Sequence, residues 1–197
     1  MYAATSTTIA TTTVDRSSSW ARIVLRWTPT FLGFPAAGFV AEVVGRVDSP
    51  APAILGGAIT GAILGVVQWL GMRRTGPSPV AWVAATTIGF TVGLGFGAAA
   101  AGYGTDVAAL ATQGAICGAA VGVAQAVTLS RKLGPVVLAW PLALAGLWSL
   151  GWTITSSAGI DVEAQYTVFG SSGALVVTAG TSVVAIALAR AQQRGAS

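Results

Sequence analysis

The sequence predicts an all-α integral membrane protein with six transmembrane helices, arranged as three αα-hairpin repeats in a pseudo-threefold bundle. Three observations lead to this fold class. Hydrophobic residues make up 54% of the 197 residues and charged residues only 8%, whereas about a quarter of a soluble domain is charged. Six apolar segments of membrane-spanning length follow one another. A glycine-rich segment also recurs in the second half of the chain, which indicates internal repetition.

The composition makes the lipid bilayer the main partner and argues against several classes of function. So few polar side chains cannot cover a water-facing surface. The net charge is +4, but the basic residues lie in short groups between apolar runs, a layout typical of membrane topology and not of nucleic-acid binding. Histidine is absent and Cys117 is the only cysteine, so the common metal-ligand sets and nucleophile–base pairs are missing. We therefore expect no catalytic or metal-binding residues and no required cofactor.

Six segments are apolar enough to cross a bilayer, which takes roughly 20 residues per helix. Their approximate boundaries are 27–45, 53–71, 80–101, 107–129, 135–157 and 166–189. The connections are short, so consecutive helices should be antiparallel neighbours, and Pro35 should kink the first one. Residues 1–19 are mostly Ser, Thr and Ala and predict a disordered cytoplasmic tail. The bundle then covers 20–190, and residues 191–197 form a second short cytoplasmic tail.

The basic residues predict the orientation of the bundle. If the N-terminus is cytoplasmic, nine of the ten basic residues lie inside and only Arg46 lies outside. An excess of this kind marks the cytoplasmic side, so both termini are predicted to be inside. Nine of the ten are arginine, as is typical of GC-rich genomes, which favours a bacterial inner membrane. The nine inner residues are Arg16, Arg22, Arg26, Arg73, Arg74, Arg131, Lys132, Arg190 and Arg194.

The repeat is carried by the segment GAITGAILGVVQWLGMRR at residues 57–74, whose pattern returns 57 positions later. The repeats cover about 20–72, 80–132 and 136–190, and the first is the loosest copy, with Trp27 and Phe34 echoing Trp82 and Phe90. Each unit contains two spans, so the units share one orientation about an axis along the membrane normal. The matched positions are Gly57 with Gly114, Gly61 with Gly118, Gly65 with Gly122, Gln68 with Gln125, Arg74 with Arg131, Trp82 with Trp140, Phe90 with Trp148, and Gly93 with Gly151.

Glycines at every fourth position lie on one face of a helix. Because lipid is as apolar as leucine, membrane helices associate through close packing, and a glycine face lets a second helix approach closely. We expect the glycine helices to lie nearer the axis or to make the tightest contacts. The predicted packing positions are Gly57, Gly61, Gly65, Gly89, Gly93, Gly114, Gly118, Gly122 and Gly151.

The element GxxxGxxxGxxQ followed by Arg, with a partner helix led by Trp, resembles a glycine-zipper pattern of multi-spanning bacterial membrane proteins whose activity is unknown. The resemblance covers residues 57–93 and 114–151, with Trp69 replaced by Ala126 in the second copy. It implies no activity, so it assigns no functional residue.

Two glutamines, Gln68 and Gln125, occupy one repeat position near the predicted inner surface. They could line an inner vestibule or hold the polar head of a ligand. Alternatively, each amide bonds a neighbouring helix backbone or a Trp indole, which is the more usual role of an amide in a membrane bundle.

The acidic residues lie mostly at the predicted outer side. Asp48, Asp106 and Asp161 could form a ring that attracts cations, although Asp at such positions more often caps the helix that follows. Glu42 lies within the outer leaflet, where an acid is functional by default; the alternative is a pair with Arg46 one turn later.

Trp148 and Trp152 share a helix face through their i, i+4 spacing. They could line a pocket for an apolar ligand, although packing within the bundle is favoured. With so few ligating residues in the chain, any bound lipid, quinone or carotenoid would be held by its shape against Trp and Gly.

These features favour a non-enzymatic membrane protein, either an accessory or scaffold subunit of a larger membrane assembly or a bundle that associates with copies of itself through glycine faces. The alternative is a small channel or transporter with a path along the repeat axis, which the parallel repeats and the recurring Gln and Asp favour. The lack of ionisable residues in mid-membrane counts against ion-coupled transport. An enzyme acting on lipid is least favoured, because no acid–base pair is present.

Overall fold

A computed structural model describes the backbone of residues 16–159 and 170–194, and the side chains of residues 21–41, 43–159 and 170–194. In these ranges the chain forms helices and no strand, which confirms the predicted all-helical class. The α-helices are α1 (Arg16–Trp27), α2 (Gly33–Glu42), α3 (Pro50–Met72), α4 (Pro79–Ala100), α5 (Val107–Leu133), α6 (Trp140–Ser157) and α7 (Ser171–Arg194). Two 3₁₀ helices, Thr28–Leu32 and Gly134–Ala139, join α1 to α2 and α5 to α6.

Five helical segments are long and apolar enough to cross a membrane, which supports a multi-pass membrane protein. Four of them have between 21 and 24 residues, close to one crossing. The remaining segment, Val107–Ser157, is fourth along the chain, has 51 residues and contains both α5 and α6. The first, Ala21–Ala41, lies closer to the N-terminus than the predicted 27–45. The α1 helix begins at Arg16, within the predicted tail, and the rest of that tail lies outside the described residues.

The first segment is interrupted between α1 and α2, before the position expected from the sequence. Pro29 lies in the 3₁₀ helix Thr28–Leu32, whereas Pro35 lies in the first turn of α2. A first-turn proline removes no helical hydrogen bond, because its N–H would have no partner within the helix. The α-helix is therefore interrupted in the 3₁₀ helix that contains Pro29 and ends directly before α2, and the kink at Pro35 stays a prediction.

Local sequence signals explain the other helix boundaries. Pro50 and Pro79 are the first residues of α3 and α4, where proline is favoured. The Ser78 hydroxyl accepts a hydrogen bond from the Ala81 amide at the start of α4. At the end of α5, Gly134 has a φ of 64°, a backbone conformation that glycine adopts without strain.

From α2 onwards, consecutive helices pack side by side in antiparallel pairs, as the short connections predict. Each helix from α2 to α6 contacts the helix that follows it in the chain, so the six helices α2 to α7 form a row in sequence order. The α7 helix returns to contact α1 and α2, so the row closes into a ring. Trp27 joins α1 to α7 at this closure. Its indole Nε1 donates to the carbonyl of Thr178 at 3.0 Å and to Thr181 Oγ1 at 3.3 Å.

Candidate functional site

The glycine faces are used within the chain, each against the helix that comes next. Gly61 of α3 lies against the backbone of α4, Gly93 of α4 against α5, and Gly118 of α5 against α6. Each contact is so close that an added Cβ would meet backbone atoms. The remaining predicted positions follow the same order: Gly57 and Gly65 face α4, Gly89 faces α5, Gly114 and Gly122 face α6, and the Gly151 carbonyl faces Gly173 of α7.

The hairpins α3–α4 and α5–α6 have the same contact register. An added Cβ would lie 2.6 Å from the Phe90 carbonyl oxygen at Gly57 and 2.8 Å from the Trp148 carbonyl oxygen at Gly114. These four residues are two of the matched pairs in the sequence. The agreement means that both hairpins bring equivalent glycines against equivalent backbone positions.

Three aromatic side chains from alternate segments of the ring meet in its centre. Phe34 of α2, Phe90 of α4 and Trp148 of α6 are all buried. The ring centroids of Phe90 and Trp148 are 4.8 Å apart in an edge-to-face arrangement, and those of Phe34 and Trp148 are 6.2 Å apart. Both distances lie in the range of favourable aromatic pairs. The centre of the bundle is therefore filled with aromatic side chains at this level.

The two glutamines are brought together in a polar cluster beside the aromatic centre. Gln125 is buried, and its Nε2 donates to Gln68 Oε1 at 3.3 Å and to Thr86 Oγ1 at 3.1 Å. Its Oε1 accepts from Trp140 Nε1 at 3.0 Å. The donor and acceptor atoms of this amide are thus engaged within the protein, which favours a packing role for Gln125 over a ligand contact. Gln68 is half-buried.

The repeat-related tryptophans differ in how their indole N–H groups are satisfied. Trp140 donates to Gln125 and Trp27 to α7. By contrast, Trp82 Nε1 is buried and has no hydrogen-bond partner among the described residues. The equivalent of the Trp140–Gln125 pair would join Trp82 to Gln68, but Gln68 Oε1 accepts from Gln125 instead. An unpaired buried donor is costly, so this position marks a local mismatch in the repeat.

The acidic candidates do not form a described cluster. Asp106 caps α5, because its Oδ1 accepts from the backbone amides of Ala108 and Ala109 at 2.9 and 3.0 Å. Asp48 is exposed and accepts a hydrogen bond from the Ser49 hydroxyl at 3.0 Å. Asp161 and the side chain of Glu42 lie outside the described residues. Within the described ranges, no three potential ligands among His, Cys, Asp and Glu are grouped for a metal ion.

Trp148 and Trp152 are both buried, and both line the contact that α6 makes with Gly114. This position favours packing over a ligand pocket. Thr86 was not singled out from the sequence, although it lies four residues after Trp82 and therefore on the same helix face. That spacing does not distinguish Thr86 from other threonines of apolar helices, so its place in the polar cluster could not be predicted from the sequence.

Comparison with known proteins adds no assignment. No protein-family model matches the chain, and neither does any curated protein or solved structure. The physical arrangement of the residues is thus the basis for any functional inference.

Proposed function

We propose that this chain is a non-enzymatic protein of the cytoplasmic membrane of a bacterium, acting as an accessory or scaffold subunit of a larger membrane assembly. The observation that carries this proposal is the filled centre of the bundle. Phe34, Phe90 and Trp148 meet where a solute path along the repeat axis would run. A bundle whose helices pack closely through glycine contacts, and whose centre holds aromatic rings, is suited to a structural role.

We further propose six crossings with both termini inside. The 51-residue segment Val107–Ser157 is more than twice the roughly 20 residues of one crossing, and it turns back on itself after Gly134. With six crossings, Arg73, Arg74 and Lys132 lie at the same end of the bundle, in agreement with the positive-inside rule.

Cysteine labelling in intact cells tests this topology. In a Cys117→Ala background, single cysteines are introduced by Thr75→Cys, Thr105→Cys and Lys132→Cys. We expect a membrane-impermeant thiol reagent to label only the cysteine at 105 from outside, and those at 75 and 132 only after the cells are opened. Labelling of positions 75 and 105 from the same side would rule out the hairpin arrangement.

The surface available to other subunits consists of outward apolar side chains. The glycine faces are occupied by neighbouring helices of the same chain, so association of copies through those faces would require the bundle to open. Other subunits would therefore bind to large apolar side chains that are exposed on the outside of the bundle, where they also face lipid. Examples are Leu25, Leu32, Phe39, Val80, Phe96, Leu138 and Leu142.

A small channel or transporter is the alternative, and one experiment separates the two functions. The protein is extracted from its native membrane in mild detergent and weighed by native mass spectrometry, and the purified chain is tested for solute flux in liposomes. A scaffold predicts a stoichiometric foreign subunit and no flux. A pure homo-oligomer that conducts, and conducts faster after Phe90→Ala shortens a side chain in the centre, would establish the pore.

A further inference from the structure

Two adjacent clefts open at the basic end of the bundle and share Arg74 and Thr75. The first, of about 260 Å³, lies between α1, the end of α3 and α7. The second, of about 240 Å³, lies between Arg74, Lys132 and the last turns of α7. They bring together segments that are distant in the sequence, and they lie outside the aromatic centre and the glutamine cluster.

Exposed cations surround both clefts. Arg26, Arg73 and Arg74 line the first, and Arg74 and Lys132 line the second. The C-termini of α3 and α7 lie at the same end and contribute about half a negative charge each, which the cations of the first cleft outweigh. The two acidic residues whose side chains are described, Asp48 and Asp106, precede α3 and α5 and so lie at the opposite end.

The walls of the clefts are apolar beneath this cationic rim. Leu70, Met72 and Ala185 line the first cleft, and Leu188 lines the second. Leu70 is 49% exposed and lies about one turn deeper along α3 than Arg73. The first cleft therefore joins cationic groups to an apolar surface, the combination that the headgroup and acyl chains of a lipid require.

We propose that these clefts bind the phosphate headgroup of an anionic phospholipid. A guanidinium group donates two parallel hydrogen bonds to phosphate oxygens, which suits Arg26, Arg73 and Arg74 to this chemistry. Basic pockets between helices at the cytoplasmic side of membrane proteins recognise such headgroups. The clefts are slightly smaller than pockets for whole drug-sized ligands, which take about 300–1,000 Å³, so they would hold the headgroup while the acyl chains lie along the apolar surface beside Leu70.

A soluble phosphate could satisfy the cations but would leave the apolar walls unused, so the structure favours the lipid. This site does not depend on whether the bundle is a subunit or acts alone. Its occupancy can therefore be tested separately from the proposed function.

The test uses the full-length protein, delipidated in dodecyl maltoside and titrated with dioleoyl phosphatidylglycerol or dioleoyl phosphatidylcholine. Bound lipid is counted by native mass spectrometry. We expect preferential binding of phosphatidylglycerol and a loss of about fivefold in affinity for Arg74→Gln, since each basic residue near an anionic surface contributes about that factor. The combined R26Q/R73Q/R74Q variant should lose about a hundredfold.

Arg131→Gln is the matched control, because Arg131 occupies the same repeat position as Arg74 and is also exposed but does not line either cleft. Its affinity should equal that of the wild type, and Arg74→Lys should lose only part of the binding, because lysine keeps the charge but not the two parallel hydrogen bonds. The thermal melting of each variant shows whether it is folded. If the combined variant unfolds, Arg74→Gln against Arg131→Gln still decides the outcome.

Three results would overturn the proposal. Equal losses in Arg74→Gln and Arg131→Gln would mean a diffuse effect of surface charge. Equal binding of the two lipids would mean that the headgroup is not recognised. Displacement of phosphatidylglycerol by millimolar inorganic phosphate would assign the clefts to a soluble anion.

Discussion

The helices α3 to α6 and the remaining part of the ring, formed by α7 with α1 and α2, are held together differently. Among α3 to α6, the glycines that face a neighbouring helix mostly meet its backbone, as at Gly61, where an added Cβ would lie 2.7 Å from Thr87 Cα. Gly95, which faces the Ile54 side chain, is an exception. In the remaining part the glycines mostly face side chains, as at Gly33, where an added Cβ would lie 2.9 Å from Leu64 Cδ2. Gly173, which faces the Gly151 carbonyl, departs from this pattern.

The two kinds of contact differ in how far they can adjust to an added side chain. A neighbouring backbone moves only if its whole helix moves, whereas the end of a leucine side chain can rotate away. The first region is therefore specified by the shape of its glycine faces. In the second region, specificity comes from side-chain contacts and from the hydrogen bonds of Trp27 to α7. Substitutions that add the same atoms should thus have unequal costs in the two regions.

The largest expected loss of stability follows when a bulky side chain replaces a glycine that lies against the backbone of the next helix, among α3 to α6. Gly118→Leu places its Cβ against the Leu144 carbonyl, and overpacking of this kind should lower the free energy of unfolding by about 1–3 kcal/mol or more. Thermal melting in detergent measures the loss. Gly146→Leu is the control, because nothing lies within 4 Å of its added Cβ. Equal melting temperatures for the two variants would refute the glycine-face interpretation.

A matched pair of alanine substitutions tests the comparison directly. Gly122→Ala and Gly180→Ala each place a methyl group 2.5 Å from an existing atom, which is Pro141 Cα in the first region and Leu147 Cδ2 in the second. We expect a destabilisation of about 1–2 kcal/mol for Gly122→Ala and a smaller loss, under about 1 kcal/mol, for Gly180→Ala. Denaturation in a mixed-micelle titration resolves this difference. A larger loss at Gly180 would reverse the assignment of the rigid and adjustable regions.

The smallest effect concerns the tryptophan indoles. Trp27→Phe removes one indole N–H that is shared between two acceptors on α7, and a hydrogen bond between membrane helices contributes about 0.6 kcal/mol. Trp82→Phe removes no hydrogen bond, because Trp82 Nε1 has no partner in the described part of the chain. Melting of the two variants should therefore show a loss for Trp27→Phe and little change for Trp82→Phe. Equal losses would mean that side-chain shape, and not hydrogen bonding, closes the ring.

The sequence locates the two glutamines of the candidate site, but it does not predict the hydrogen bonds that they form. Gln68 and Gln125 stand out because polar residues are rare in such helices, and their shared repeat position indicates a common role. The hydrogen bonds that they form depend on the rotation and depth of four helices. Thr86, which completes the cluster, has the same local pattern as other threonines in apolar helices, so no sequence signal separates it from them.

The helical class, most of the apolar spans and the positions of the glycine faces could be read from the sequence, because they follow from composition and from periodicity along one helix. Which helix each glycine face meets became known from the packing of the folded chain. This packing also brought Phe34, Phe90 and Trp148 to one centre and placed Arg26 beside Arg74. The aromatic contacts and the placing of Arg26 depend on the closure of the ring. In that closure, Trp27 donates a hydrogen bond to Thr178, which lies 151 positions away in the sequence. Periodicity is a property of neighbouring residues, whereas closure depends on the summed geometry of all the helices in the ring.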